Sequence, residues 1–239
     1  MIDIKEYENT IQMVECLCFM SVMPDKSVNL ICTDPPYRFL SKSVGSDFTI
    51  RKKRSLFVRV RNTIGCDYNP KEFLEACKRI CKPFNGYFFT NKNLLVEYIQ
   101  FAQENKYHFD IIVYAKTNPA PLFSTHYLND KEFCVYMREK GAIYNNKLKY
   151  QKYYTVKKYN CVQDVHPTQK PLELIKELIE ISSKPGDLVF DPYVGSGTTC
   201  LAAIDLKRNY LGCEVLKEYF DMCNKRVKNH VKQQTMFGE

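Results

Sequence analysis

Leu188-Val189-Phe190-Asp191-Pro192-Tyr193-Val194-Gly195-Ser196-Gly197-Thr198-Thr199 is the stretch that decides the fold class of this chain. Three apolar residues run into an acid and a proline, then two glycines, then the start of a helical pattern. That order reads as buried strand, tight turn, helix. Glycines at 195 and 197 let the backbone turn sharply and approach a ligand closely. The helix is predicted from about Thr198 to Leu206, followed by a strand at Tyr210-Leu211-Gly212-Cys213. Glu214 ends that strand, 23 residues after Asp191. In a nucleotide-binding βαβ unit, an acid at that place accepts hydrogen bonds from ribose hydroxyls. The segment has no GxxxxGK[ST] run and lacks the third glycine of the dinucleotide fingerprint, so a nucleoside-type cofactor without a phosphate chain fits better. A turn that needs glycine for packing alone is the plainer alternative.

The same alternation extends outward. Val28 to Cys32 is a short apolar run stopped by prolines, and reads as a buried strand. Pro70 to Cys81 carries Phe73, Leu74, Cys77, Ile80 and Cys81 at helical spacing, with proline suited to the helix start. Gly86 to Thr90 reads as a strand, Leu94 to Asn105 as a helix, Phe109 to Ala115 and Phe133 to Met137 as strands. Pro171 opens a helix with Leu174, Ile175, Leu178 and Ile179 on one side, and a last helix runs from about Lys217 to Val231. Strands separated by helices imply right-handed crossovers, hence a mostly parallel sheet with helices on both faces. The 239 residues suit one α/β domain, 1–239.

Composition narrows the function. A formal net charge of +8 points to a polyanionic partner. The basic residues concentrate in two segments that read as loops or small excursions. One is an insertion, 38–69, containing Arg51-Lys52-Lys53-Arg54. The other lies within 138–165, where Lys147, Lys149 and Lys152 alternate with tyrosines. Basic residues interleaved with aromatics favour nucleic acid over a membrane surface. The eleven cysteines include no CxxC pair and only four histidines accompany them, so no metal site is expected. They read as small core residues of a protein in a reducing cytoplasm. The N-terminus lacks the apolar run of a signal peptide, and no stretch is long and apolar enough for a transmembrane helix.

Asp34-Pro35-Pro36-Tyr37 follows the first predicted strand. Two prolines fix φ and remove two donors, so the chain leaves the sheet stiffly with carbonyl oxygens and the Asp34 carboxylate as acceptors. An aromatic ring beside a rigid row of acceptors suits a flat molecule bearing an amino group. The exocyclic nitrogen of adenine is a poor nucleophile because its lone pair is delocalised into the ring. Acceptors on its hydrogens favour a pyramidal nitrogen, and a carboxylate stabilises the positive charge that develops in the transition state. The base is out of reach inside a duplex and must be flipped out, with Tyr37 as its stacking platform.

These motifs together resemble the DNA amino-methyltransferases of the β class. That family places a DPPY catalytic motif first, then a target-recognition region, then the cofactor loop. Asp34 to Tyr37 precedes Asp191 to Gly197 in that order. His166-Pro167-Thr168-Gln169-Lys170-Pro171 is similar to the family's HPTxKP segment, and Pro24-Asp25-Lys26-Ser27-Val28 is typical of the approach to the catalytic strand. The resemblance implies a Rossmann-like, circularly permuted methyltransferase fold that binds S-adenosyl-L-methionine. It makes Asp34, Pro35, Pro36 and Tyr37 catalytic. It assigns Asp191 and the backbone of Gly195 and Gly197 to the methionine end, with Thr168 and Lys170 at its carboxylate. Glu214 takes the ribose, and Glu15 the cofactor adenine, in the place where the family has Asp after Gly. Tyr193, Ser196, Thr198 and His166 complete the cofactor set. Lys82-Pro83-Phe84-Asn85-Gly86 departs from the usual KPGG.

The expected activity is site-specific methylation of the adenine N6 amino group in double-stranded DNA, on a short target sequence. Ser at the first motif position favours cytosine within the family, and Asp34 favours adenine. N4-cytosine methylation, RNA or protein-glutamine methylation and an inactive DNA-binding relative are the competing readings. C5-cytosine chemistry needs a Pro-Cys nucleophile, and no such dipeptide occurs. Arg51, Lys52, Lys53, Arg54, Lys147, Lys149 and Lys152 are the expected phosphate contacts. The resemblance leaves room for a homodimer and for a companion restriction endonuclease as partners.

Overall fold

The structure is a computed structural model that describes residues 1–36, 68–119, 127–162 and 169–237. Eight strands form one sheet: β1 (Thr10–Gln12), β2 (Leu30–Thr33), β3 (Asn85–Thr90), β4 (His108–Lys116), β5 (Lys131–Arg138), β6 (Val156–Tyr159), β7 (Leu188–Asp191) and β8 (Asn209–Cys213). Their spatial order is β1-β8-β7-β2-β3-β5-β4-β6. Every neighbouring pair is parallel except the two that involve β5, so one strand of the eight is reversed. The helices are α1 (Cys16–Val22), α2 (Pro70–Ile80), α3 (Leu95–Glu104), α4 (Leu172–Ser182), α5 (Thr198–Asp205) and α6 (Lys217–Phe237).

Strand alternation divides the core in two. Ile31, Phe88, Val135, Phe190 and Cys213 face α1, α2 and α3 in one buried cluster. Cys32, Phe89, Ile112, Cys134 and Val189 face α4, α5 and α6 in the other. Phe73, Tyr98 and Phe88 are fully buried in the first layer, and each side chain of that size contributes about 1.5–3 kcal/mol by leaving water. The expected fold class holds: a mostly parallel sheet with helices on both faces.

The Phe84-Asn85 departure has a packing role. Phe84 stacks on Phe88 and Tyr107, with ring centroids 6.1 and 4.7 Å apart. The Asn85 amide donates to the carbonyl of Ser182 at 2.9 Å, which ties the start of β3 to the end of α4.

Four elements depart from expectation. β1 and α1 form where the apolar pattern predicts neither; the Glu15 carboxylate caps α1 by accepting from the Cys18 amide. β6 replaces part of the predicted excursion in 138–165 and pairs with β4 as the edge strand. Its Lys157 is buried because its ammonium meets Glu177 of α4 at 2.8 Å. The last helix continues past Val231 to Phe237.

Candidate active site

The chain runs from β7 outward to β8 and from β2 outward to β3, while β2 and β7 lie side by side, Leu30 against Val189 and Ile31 against Phe190. A sheet whose connections diverge in this way opens a crevice at the carboxyl ends of the two central strands. A cavity lies there. Its walls come from Val14-Glu15-Cys16, from Cys32, Thr33, Asp34 and Pro36, from Phe89, from Lys170 and Ile175, from 191–196 with Thr198 and Thr199, and from Cys213, Glu214, Val215 and Tyr219. The two motifs lie 157 residues apart in sequence (Asp34 to Asp191), yet they share one cavity.

The glycine turn is shaped by what packs on it. Gly195 and Gly197 have φ of 49° and 80°, the left-handed region that suits glycine. A Cβ on Gly197 would sit 2.5 Å from the Cys223 sulfur, so this glycine lets α6 close on the start of α5. Gly197 is not part of the cavity wall, whereas Gly195, Ser196 and Thr198 are. A Cβ on Gly212 would overlap Val194, so the strand below also needs a glycine for the turn to lie over it. The Arg226 guanidinium of α6 donates to the Ser196 carbonyl at 2.7 Å and fixes the turn from outside.

Acids line the cofactor side. Asp191 is 4% exposed and accepts from the Tyr193 amide at 3.1 Å. Burial pushes its carboxyl up to about 6, against the opposing hydroxyls of Thr33 and Thr199 beside it. The Thr33 hydroxyl is buried with no hydrogen-bond partner among the described residues. Glu214 accepts from the Gly195 amide at 3.0 Å and the Leu216 amide at 2.8 Å. Burial raises its carboxyl, with those amides opposing. Cys16, Cys32 and Cys213 also line the cavity, and burial holds each as a neutral thiol.

On the other side, Asp34 and Pro36 follow β2. The resemblance puts Lys170 at the cofactor carboxylate. In the structure its ammonium is ion-paired with Asp34 and lies 3.2 Å from Glu132 and 4.9 Å from the centre of the Phe89 ring. Desolvation lowers the lysine's affinity for its proton, but Asp34 and Glu132 outweigh it and the net shift is upward. Glu132, Lys116 and Phe89 join the site although sequence reasoning does not single them out. The available signal is a charged residue near one end of each of two strands with apolar middles, Lys116 in β4 and Glu132 in β5.

Tyr37, His166, Thr168 and Arg51, Lys52, Lys53 and Arg54 lie outside the described residues. So do residues 38–67 of the expected insertion. Lys147 and Lys149 are exposed, in the segment that follows β5 at the end of the sheet opposite the cavity. β5 runs away from the cavity, and Arg138 at its end pairs with the first residues of β3 and β4. The following segment stays there: the Asn145 amide donates to the Ile181 carbonyl at the end of α4. Eight residues of strand, roughly 25 Å at the usual rise, separate the two ends. Lys152 is ion-paired with Glu180 of α4. Among the described residues no group of acids, histidines and cysteines could hold a metal ion, and no helix is long and apolar enough to cross a membrane.

Comparison with known proteins bears on this geometry. A family described as DNA methylase, of the N6/N4 methyltransferase type, matches residues 28–225. The type II methyltransferase M2.MboI of Moraxella bovis is 31% identical, over 91% of this chain and 89% of that protein. M.HinfI of Haemophilus influenzae is 28% identical, over 95% of this chain and 70% of that protein. Among solved structures, M1.HpyAVI in complex with SAM superposes with a TM-score of 0.67 and 27% identity, covering 91% of this chain and 98% of that one. The cytosine-N4-specific PvuII DNA methyltransferase has a TM-score of 0.69 over 97% of this chain and 94% of that one; at 13% identity it shares the fold.

Proposed function

Because the chain belongs to the DNA methylase family of N6/N4 amino-methyltransferases, we propose that it methylates the N6 amino group of adenine in double-stranded DNA with S-adenosyl-L-methionine as methyl donor. One observation carries this reading: Asp34 and Pro36 share a single cavity with Asp191, Gly195 and Glu214, at the switch point of the sheet.

The residues present fit that cofactor. A buried carboxylate at Asp191, with the hydroxyl of Thr33 lacking a partner among the described residues, suits an ammonium group. Glu214 is held by two backbone amides and can still accept from ribose hydroxyls, because a carboxylate offers about four acceptor sites. Val14, Val194, Val215 and Tyr219 supply apolar surface for a purine, and Glu15 lines the same cavity. When bound, the cofactor supplies an electrophilic methyl group on a sulfonium.

The chain's own contribution is to hold and polarise the acceptor nitrogen. Asp34 and the proline carbonyls accept the hydrogens of the amino group, which turns its lone pair toward the methyl. The Asp34 charge then stabilises the positive nitrogen of the transition state. Phe89 and Tyr37 are the aromatic surfaces for the flipped base. Asp at position 34, where Ser accompanies cytosine specificity, supports adenine. Backbone contacts fall to the basic run Arg51 to Arg54. A homodimer, a companion endonuclease and a type II restriction-modification setting extend the same proposal.

The test is nucleoside analysis by mass spectrometry of DNA treated with the enzyme and deuteromethyl-labelled cofactor. The label is expected on N6-methyldeoxyadenosine. Label confined to deoxycytidine would replace the adenine reading with an N4-cytosine one.

A further inference from the structure

Asp34 is one end of a buried row of alternating charges. Lys170 is ion-paired with it, the Lys170 ammonium lies 3.2 Å from Glu132 of β5, and Glu132 lies 3.0 Å from the Lys116 ammonium at the end of β4. The side chains of Lys170, Glu132 and Lys116 are 7%, 11% and 9% exposed, so solvent screens the row little. Three separate strand ends and the start of α4 converge to build it. Charges buried to this degree persist only when paired.

The geometry points to Glu132 as a positioning residue of the methyl-transfer reaction, which draws the Lys170 charge away from Asp34 so that Asp34 keeps its negative charge for the target amino group. This rests on the reading of Asp34 given above. An ammonium has three donors and one charge. With Glu132 present, that charge is shared between two carboxylates. Lys170 can then fix the rotation of the Asp34 carboxylate without cancelling its field. With Glu132 neutral, the whole charge of Lys170 falls on Asp34, and the carboxylate has less to offer to a nitrogen that becomes positive only in the transition state. The consequence belongs to the chemical step and not to cofactor binding, because Asp191 and Glu214 sit on other strands.

The test measures kcat, the KM for S-adenosyl-L-methionine and the melting temperature for Glu132→Gln, for the double variant Glu132→Gln/Lys116→Met, and for Asp34→Ala as a reference. Glu132→Gln leaves Lys116 buried without its partner and is expected to melt lower. The double variant removes one charge of each sign and is expected to regain stability. Both are expected to lose fivefold or more in kcat, with the cofactor KM within threefold of wild type, and Glu132→Asp is expected to recover part of the loss. A double variant that folds and retains kcat to within fivefold would overturn the inference, since Glu132 would then serve only to pair Lys116. A fall in kcat accompanied by a rise of more than threefold in cofactor KM would overturn it as well. Should Asp34→Ala turn over normally, the reading of Asp34 itself fails, a result distinct from either.

Discussion

Asp191 is the residue at which folding and function oppose each other most clearly. Its carboxyl is pushed up to about 6 by burial, well above the usual carboxylate range. A group whose folded value is raised binds protons more readily folded than unfolded. Its contribution to stability is therefore fully present below about pH 4 and is lost as the pH rises through 6. Asp191→Asn is accordingly expected to melt higher than wild type at pH 7.5, by on the order of 2–3 kcal/mol, with the gap closing below about pH 4. The same variant is expected to lose cofactor affinity, because the negative charge is what an ammonium group would meet there. Denaturation curves at pH 7.5 and pH 4, with cofactor binding by calorimetry, check both halves. Equal stability at both pH values would mean that Asp191 carries no such penalty. Glu214 differs: burial raises its carboxyl too, but each of its two oxygens accepts from a backbone amide, and Gln, with one acceptor oxygen, would leave one amide facing a donor, so that replacement is not expected to stabilise.

At the level of elements, the glycine turn is held by complementary surfaces above and below. Gly212 of β8 leaves the space that Val194 occupies, and the Val194 amide bonds the Cys213 carbonyl at 3.0 Å. Gly212→Ala is expected to destabilise by about 1–3 kcal/mol, the cost of overpacking a tight contact, and to weaken cofactor binding. Val194→Ala in the same chain is expected to recover a good part of both, as coupled neighbours do. Purely additive effects in a double-mutant cycle of melting temperatures would contradict the contact. The turn, its flanking strand and helix, and the central elements are legible in the sequence because their apolar residues recur at 2.0 or 3.6 and are bounded by proline and glycine. β1 is not, because Thr10-Ile11-Gln12 has one apolar residue and exists by pairing with β8. β6 escapes for a related reason: Val156-Lys157-Lys158-Tyr159 reads as solvated, and the partner that holds the Lys157 charge in the core, Glu177, lies twenty residues further on. The candidate site divides the same way. Asp34 and the 191–197 turn announce themselves by local chemistry, whereas Glu132 and Lys116 become site residues only through the reversed β5.

For the molecule as a whole, the formal net charge is +8. Lys147 and Lys149 lie at the end of the sheet opposite the cavity, and Lys152 and Lys157 are tied to α4. The proposed phosphate contacts that remain are Arg51, Lys52, Lys53 and Arg54. Replacing Arg51, Lys52, Lys53 and Arg54 by Ala is expected to weaken DNA binding at all sequences and to flatten its salt dependence by about 0.9 in slope for each phosphate no longer neutralised. Lys147→Ala/Lys149→Ala is expected to leave the slope unchanged. Titrations of fluorescent duplex across a range of salt concentrations compare the two, and a larger effect from the second variant would move the DNA to the other end of the sheet. The central claim is a cofactor end and a base end that are adjacent yet separable. Single-turnover methyl transfer by Asp34→Ala, with cofactor affinity measured on the same preparation, tests that most directly. The expected result is affinity within threefold of wild type and transfer slower by about a hundredfold or more, the usual cost of removing a group aimed at developing charge. Transfer within tenfold of wild type, or loss of cofactor binding equal to the loss of rate, would contradict it.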